Sequence, residues 1–425
     1  MSPSRARGAD QPSALRVRTA RRGDVEELAR LGQLAYRVSS LERRREFYTD
    51  HPRFRLRDVR VGELDGELVA SLVLYPLRAW VRGQRVAVAG VGSVAVSPEH
   101  RRRGVADALM RAALRELRQR GTAFSMLYAF RGSFYRRLGY GVIEYIHALA
   151  AAPANLPASE EARRVRRLKP ADRPAVQAVY ERVASRGHWA LERGRAWWSQ
   201  RLWSYPGDWV VYEGRGGRIE GYLHYQTDTE NGAFRLALTL DELVAASPAA
   251  HRGLAGYLAS LADQAVEFHF AAPADAAWLA VLKTAQNLRP GPELGVFLDT
   301  GNVQAGAMLR ITDVGAALHG FPVSAQAHGE VAFEVEDDIL PENARMWRLA
   351  ARAGRLEVGA ATARAGARRL SRLTVPAEML GPLIAGTLSP LRAAEAGLIG
   401  SDGGAEVVEA WFRGRPAFVY PLNGF

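Results

Sequence analysis

Arg101-Arg102-Arg103-Gly104-Val105-Ala106 stands between a valine-rich stretch, RVAVAGVGSVAVS, and an amphipathic one, VADALMRAALRELRQ. The pattern R-x-x-G-x-A at a strand-to-helix junction suits the binding of phosphate. Free N–H groups at a helix N-terminus, the helix dipole and nearby guanidinium groups all favour an anion. Gly104, having no Cβ, lets the backbone approach closely. Other chemistries lack their residues. The 425 residues include no cysteine, so a thiol nucleophile, a thiolate metal site and a disulfide are all excluded. The nine histidines are scattered, with no HExxH and no i, i+4 pair, and no metal site is expected.

A phosphate loop needs a strand before it and a helix after it. Leu15–Thr19 reads as a short strand, then Asp24 and Glu27 suggest a capping box before the helical spacing of Val25, Leu28, Leu31 and Leu34. VRVGEL, ELVASLVLYPLRAWV and RVAVAGVGSVAVS follow as three antiparallel strands, with turns at Asp65-Gly66 and Arg82-Gly83. The loop's own helix carries Val105, Leu109, Ala112 and Leu117 on one face. A buried strand AFSMLYAF, a short helix around Phe134–Leu138 and a last strand Val142–Leu149 complete this segment, with Tyr140 and Tyr145 as packed core tyrosines.

AAPANLPASEEARR reads as a linker. Beyond it the order repeats: a helix from Asp172, strands at Trp209–Glu213, Ile219–Gln226 and Ala233–Leu240, and a helix from Ala249. SVAVSPEHRRRGVADAL is echoed by LVAASPAAHRGLAGYL, with Ser97-Pro98 and Ser247-Pro248 lying 150 residues apart. That spacing suggests a duplicated domain whose second copy keeps one arginine, Arg252, of the three. The rest is α/β in another order: GEVAFEVED, ARMWRLAARAG and GRLEVGAATA as strands, and VPAEMLGPLIAGTLSPLRAAEAGL as helix broken at Pro382 and Pro390.

The net charge of +12 invites a nucleic-acid reading. Two details weaken it. Only Lys169 and Lys283 of the 57 basic residues are lysine, and the basic clusters Arg43–Arg45 and Arg163–Arg167 alternate with glutamate. No run approaches the roughly 18 apolar residues of a membrane helix. Residues 1–14 read as a loose tail without a signal-peptide core, and the cytoplasm is the expected compartment.

Together the three segments, the arginine loop, FYRRLGYG and the aromatic chain end PAFVYPLNGF resemble the Eis (enhanced intracellular survival) family of GCN5-related N-acetyltransferases. The resemblance covers nearly the whole chain, including VPAEMLGPLIAGTLSPLRAAEAGLI followed by AEVVEAWF in the third segment. It implies an α/β fold of two tandem acetyltransferase-like domains, 1–153 and a degenerate 154–305, followed by a sterol-carrier-like domain, 306–425. It implies acetyl-CoA as donor, no metal, an amine acceptor and a homohexamer. Val94, Ala95 and Val96 would pair with the pantetheine. Arg102, Arg103, Gly104, Val105, Ala106 and Asp107 would hold the pyrophosphate, with Arg101 beginning the loop. Phe130 and Arg131 fall where the family lines the cofactor's far side, and both depart from its small or polar residues. Tyr135 matches the general acid: a phenol of pKa about 10 is protonated at neutral pH and can supply a departing thiolate.

For the base, 86–98 contains no acid, and the resemblance points to the terminal carboxylate on Phe425. The acceptor stays open, whether aminoglycoside-like or lysine-type, because few acids neighbour these motifs. A noncatalytic acyl-CoA- or lipid-binding protein remains the alternative.

Overall fold

The computed structural model describes residues 15–37, 40–228, 236–284, 299–360 and 370–425. The tail at 1–14, Ala233–Arg235 of one expected strand and 361–363 of another lie outside them. Three mixed sheets with packed helices bear out the α/β expectation.

The first sheet is built on β1 (Arg16–Thr19), β2 (Val59–Leu64), β3 (Glu67–Val81), β4 (Gln84–Val96), β5 (Phe124–Tyr128) and β6 (Gly141–Val142). The β2–β3 and β3–β4 hairpins turn where expected. Asp65 and Arg82 adopt φ of 52° and 48°, and Gly66 and Gly83 φ of 86° and 80°, matching the twist that two-residue hairpins need. Between the first two strands lie α1 (Val25–Tyr36) and α2 (Leu41–Thr49). The capping box does not form. Asp24 takes a helical φ of −83° with no side-chain cap, because its carboxylate is held by Arg21 N–H and the Arg18 guanidinium. Helix α3 (Val105–Gln119) buries Val105, Leu109, Met110, Ala113, Leu114 and Leu117, leaving Ala112 half-exposed. These side chains pack on Leu72, Leu74 and Val91 of β3 and β4. A short helix, α4 (Gly132–Arg136), follows β5.

Sheet membership crosses the order of the chain. The single strand expected over Val142–Leu149 is two. β6 stays in the first sheet, while Tyr145–Ala151 pairs with Ala265–Pro273 and Asn302–Ala305 in the second. The place beside β5 is taken by Ala307–Ile311, antiparallel to both β5 and β6. Tyr145, on the second sheet's outer ladder, is 44% exposed and is not a core residue. Tyr140 is fully buried, its hydroxyl 2.7 Å from Ser125 Oγ.

The second sheet repeats the meander as Asp208–Glu213, Ile219–Asp228 and Leu236–Ala245, then a helix Pro248–Ala259. In the third, Gly329–Glu336 lies between antiparallel Met346–Arg352 and parallel Arg372–Pro376. The helix Ala377–Ile384 runs through Pro382 rather than breaking there. The chain turns at Gly386, φ 69°, and Pro390 opens the next helix as its first residue, where its missing N–H costs nothing. One core spans the first and third sheets, joining Val73, Tyr75 and Met126 to Leu309, Val331 and Trp411.

Candidate active site

The β3–β4 ladder shifts register where Ser71 pairs with Ala95 and Val73 with Gly92. Ser93 and Val94 of β4 therefore stand opposite Leu72 alone, one extra residue, with Ser93 at φ 50°. Such a bulge bends its strand. On the other side β4 pairs with β5 only at Ala89–Ser125 and Gly90–Met126, and beyond that the two strands part. Ser97 N–H still donates to Val69 O at 2.9 Å. Strand alternation then turns the peptide edges of Val94 and Val96 away from β3, into the gap. Val94 O accepts the Tyr36 hydroxyl at 2.9 Å.

At the gap's far end, Gly104 precedes α3 at φ 80° and supplies no side-chain cap. No atom lies within 4 Å of where its Cβ would be. The first N–H groups of α3, on Val105, Ala106 and Asp107, have no partner within the helix. The Asp107 carboxylate turns away to Arg111 at 2.5 Å. Arg101, Arg102 and Arg103 are exposed. Arg101 Nε reaches Val96 O at 3.3 Å. Arg102 adopts φ 61°, and among the described residues neither it nor Arg103 meets a carboxylate. Unpaired cations and unpaired N–H groups fit a pyrophosphate.

The equivalent helix in the second sheet is closed. Ser247 Oγ accepts the Ala250 N–H at 3.1 Å and donates to Glu220 at 2.7 Å, placing a carboxylate where an anion would sit. A Cβ on Gly253, the counterpart of Gly104 by sequence echo, would lie 2.4 Å from the Tyr212 ring.

Phe425 lies on β4. A Cβ on Gly90 would be 2.7 Å from its ring, and one on Gly92 would be 3.4 Å from its carboxyl carbon. Two glycines two residues apart on one strand face therefore make the berth. The Phe425 ring also meets Tyr75 and Tyr128 at 5.7 and 5.6 Å between centroids. Tyr135 is buried on α4, edge-on to Phe134, Tyr140 and the 82%-exposed Phe130. Burial pushes its phenol up to about 12. Burial first, and then the neighbouring Tyr135 phenol, also raises Tyr36. Arg131 precedes α4 and is exposed.

Sequence reading missed Tyr36, Tyr75, Tyr128 and Arg53, all of which border this centre. The glycine alternation AGVGS in β4 was the available signal. Arg53 Nη1 donates to Asn423 O at 2.6 Å, and its guanidinium stacks 3.4 Å over Trp197. Burial and the nearby Arg193 lower it to about 9.

Comparisons with known proteins identify the family. Two families described as acetyltransferase (GNAT) domains match residues 16–143 and 190–311, and a sterol carrier protein domain matches 314–420. An uncharacterized N-acetyltransferase of Streptomyces avermitilis is 32% identical over 317 residues, 69% of this chain and 72% of that protein. The N-acetyltransferase Eis of Mycobacterium tuberculosis is 33% identical over 156 residues, 34% of this chain and 38% of Eis. This chain belongs to the Eis-like family of GCN5-related N-acetyltransferases. It is an N-acetyltransferase of two GNAT domains and a sterol-carrier-like domain, and acetyltransferases of this fold take acetyl from acetyl-CoA. The crystal structure of a GCN5-related N-acetyltransferase from Anabaena variabilis shares the fold with a TM-score of 0.82 at 20% identity, over 97% of this chain and all of that one. Eis1 from Mycobacterium abscessus does so at 0.76 and 23%, over 97% and 100%. Among the described residues no helix is long and apolar enough to cross a membrane.

Proposed function

We propose that this enzyme acetylates a primary amine in the gap between β4 and β5, with Tyr135 as general acid and the α-carboxylate of Phe425 as general base. The carrying observation is the berth of the Phe425 carboxyl group against Gly92, beside the bulge of β4. Arg102–Asp107, led by Arg101, hold the pyrophosphate, and the gap-facing edges of Val94–Val96 hold the pantetheine. Phe130 and Arg131 line the far side. Bound acetyl-CoA supplies the activated acetyl group.

The carboxylate takes a proton from the acceptor ammonium, directly or through water, and frees the lone pair that forms the new C–N bond. Tyr135 gives its proton to the departing thiolate sulfur. Its raised pKa keeps that proton in place at neutral pH. An ordinary α-carboxyl group has a pKa of about 3.3–3.7.

The functional units we propose are 1–153, 154–305 and 306–425, with strands exchanged across both seams. Cytoplasmic assembly as a hexamer rests on family likeness, and light scattering tests it. The groups beside Phe425 are Arg53, Tyr75 and Tyr128. Of the two acceptor classes, they favour a single lysine-type amine over an aminoglycoside-like polycation.

The test extends the chain by one glycine, which turns the carboxylate into an amide and moves the charge by roughly 3.5 Å. Amine acetylation should fall at least about 100-fold while acetyl-CoA affinity holds. Normal turnover by the extended, folded protein refutes the terminal base.

A further inference from the structure

Asn423, two residues before Phe425, is completely buried. It is held from two directions. Arg53 Nη1 donates to its carbonyl oxygen at 2.6 Å, and Arg53 Nη2 to its Oδ1 at 3.1 Å. Arg193 Nε reaches the same Oδ1 at 2.9 Å. Its Nδ2 donates to the Tyr180 hydroxyl at 2.7 Å, and that hydroxyl donates onward to Leu191 O at 2.6 Å. An amide alone satisfies this pattern, since one end must accept and the other must donate. Next to it, Trp197 Nε1 donates to Leu422 O at 3.2 Å.

The second-domain side of this anchor is itself a buried ionic cluster. Arg193 forms an ion pair with Glu242 at 2.5 Å, both side chains wholly buried, and Tyr222 donates to Glu242 at 2.6 Å. Glu242 lies on Leu236–Ala245, the third strand of the second meander, as β4 is the third of the first. It stands five residues before Ser247-Pro248, and Gly92 stands five before Ser97-Pro98. By count along the chain the acid matches Gly92, against which the Phe425 carboxyl lies, although the bulge of β4 falls between Gly92 and Ser97 and that of the second strand falls before Glu242. Asn423 meets Arg193 beside Glu242 in the second domain, and Phe425 meets Gly92 in the first.

We infer that Asn423 is a positioning residue: the second domain's cleft centre, through Arg193 and Glu242, grips Asn423 together with Arg53 and sets the Phe425 carboxylate at the first domain's cleft. This rests on the terminal-base reading above. A carboxylate displaced by about 1 Å from its working position can cost on the order of 100-fold in rate. Only Gly424 separates the anchor from Phe425; its N–H donates to Pro421 O at 3.3 Å and its carbonyl accepts Arg53 Nη1 at 3.5 Å. Asn423 and Arg53 thus constrain the terminal residue from its upstream side, while β4 receives its ring.

The experiment compares Asn423→Ala, Asn423→Asp and the one-glycine extension in the full chain, measuring kcat, both KM values and acetyl-CoA affinity. Asn423→Ala should lower kcat about 10- to 100-fold with acetyl-CoA affinity unchanged. Asn423→Asp keeps an acceptor toward both arginines and should recover part of the rate. Wild-type kcat in Asn423→Ala, with the extension inactive, overturns the anchor and leaves the base. An extension at full rate overturns the base, and the anchor with it. If Asn423→Ala does not fold, Arg53→Lys, which keeps the charge and loses the fork, decides. A reduced kcat at unchanged acetyl-CoA affinity supports the anchor, and wild-type kcat overturns it.

Discussion

A buried tyrosine is ordinarily a core residue with its hydroxyl satisfied, as Tyr140 is by Ser125. Tyr135, five residues earlier in the same cluster, differs in that no described group hydrogen-bonds its hydroxyl. It is 3% exposed, and burial raises its pKa to about 12, so it stays a proton donor throughout the neutral and mildly alkaline range. Replacing Tyr135 with Phe removes one oxygen and keeps the ring against Phe134 and Tyr140. The expected result is a fall in kcat of about 10²–10⁴, with acetyl-CoA affinity and melting temperature close to those of the parent. Steady-state kinetics together with calorimetry check it. Full turnover by the variant would return Tyr135 to the core.

The two strand-to-helix junctions are the same element with opposite electrostatics. At α3 the helix N-terminus is uncapped, open at Gly104 and flanked by Arg102 and Arg103, which meet no carboxylate among the described residues. At Pro248–Ala259 the cap is Ser247, with the Glu220 carboxylate behind it. Acetyl-CoA should therefore bind once per chain, as titration calorimetry would show. Arg102→Ala with Arg103→Ala should weaken that binding, each lost charge-assisted contact contributing about 1.5–3 kcal/mol at most. Two cofactors per chain, or unchanged affinity in the double variant, would defeat this assignment. Much of this was legible in sequence, because hairpin turns, the helix stripe and the arginine loop are written in neighbouring residues. The duplication was legible too, since Ser97-Pro98 and Ser247-Pro248 keep their context. The placing of Ala307–Ile311 beside β5 was not. That strand pairs with residues some 180 positions away, and local periodicity carries no record of a distant partner. Arg53 and Asn423 were hidden for the same reason: each reads as an ordinary loop residue until the other is folded against it.

At the scale of the molecule, Glu144 ties together parts that the chain order keeps apart. It is fully buried where β6 gives way to the second sheet. One carboxyl oxygen accepts the Val419 N–H at 2.5 Å, just before the terminal segment, and the other accepts the Ala307 N–H at 2.9 Å, at the start of the exchanged strand. Burial pushes Glu144 up to about 7, with the two N–H donors only partly opposing it. A carboxyl group whose folded pKa exceeds its unfolded value of 4.5 binds more protons in the native state between those two values. Stability is therefore full below about pH 4.5 as far as this group is concerned, falls as pH rises towards 7, and is flat above. The fall attributable to Glu144 is on the order of 3 kcal/mol. Glu144→Gln removes the titration but turns an NH₂ group onto one of the two backbone donors, at a cost of about 1–3 kcal/mol. The variant should melt lower than the parent at pH 5 and lose less stability between pH 5 and pH 7.5. Denaturation at both pH values measures the difference, and parallel losses in the two proteins would show that Glu144 does not titrate in this range. Because Val419 leads directly to Asn423 and Phe425, the same substitution should also lower kcat at pH 7.5, where the anchor of the terminal segment would be weakened from its upstream end.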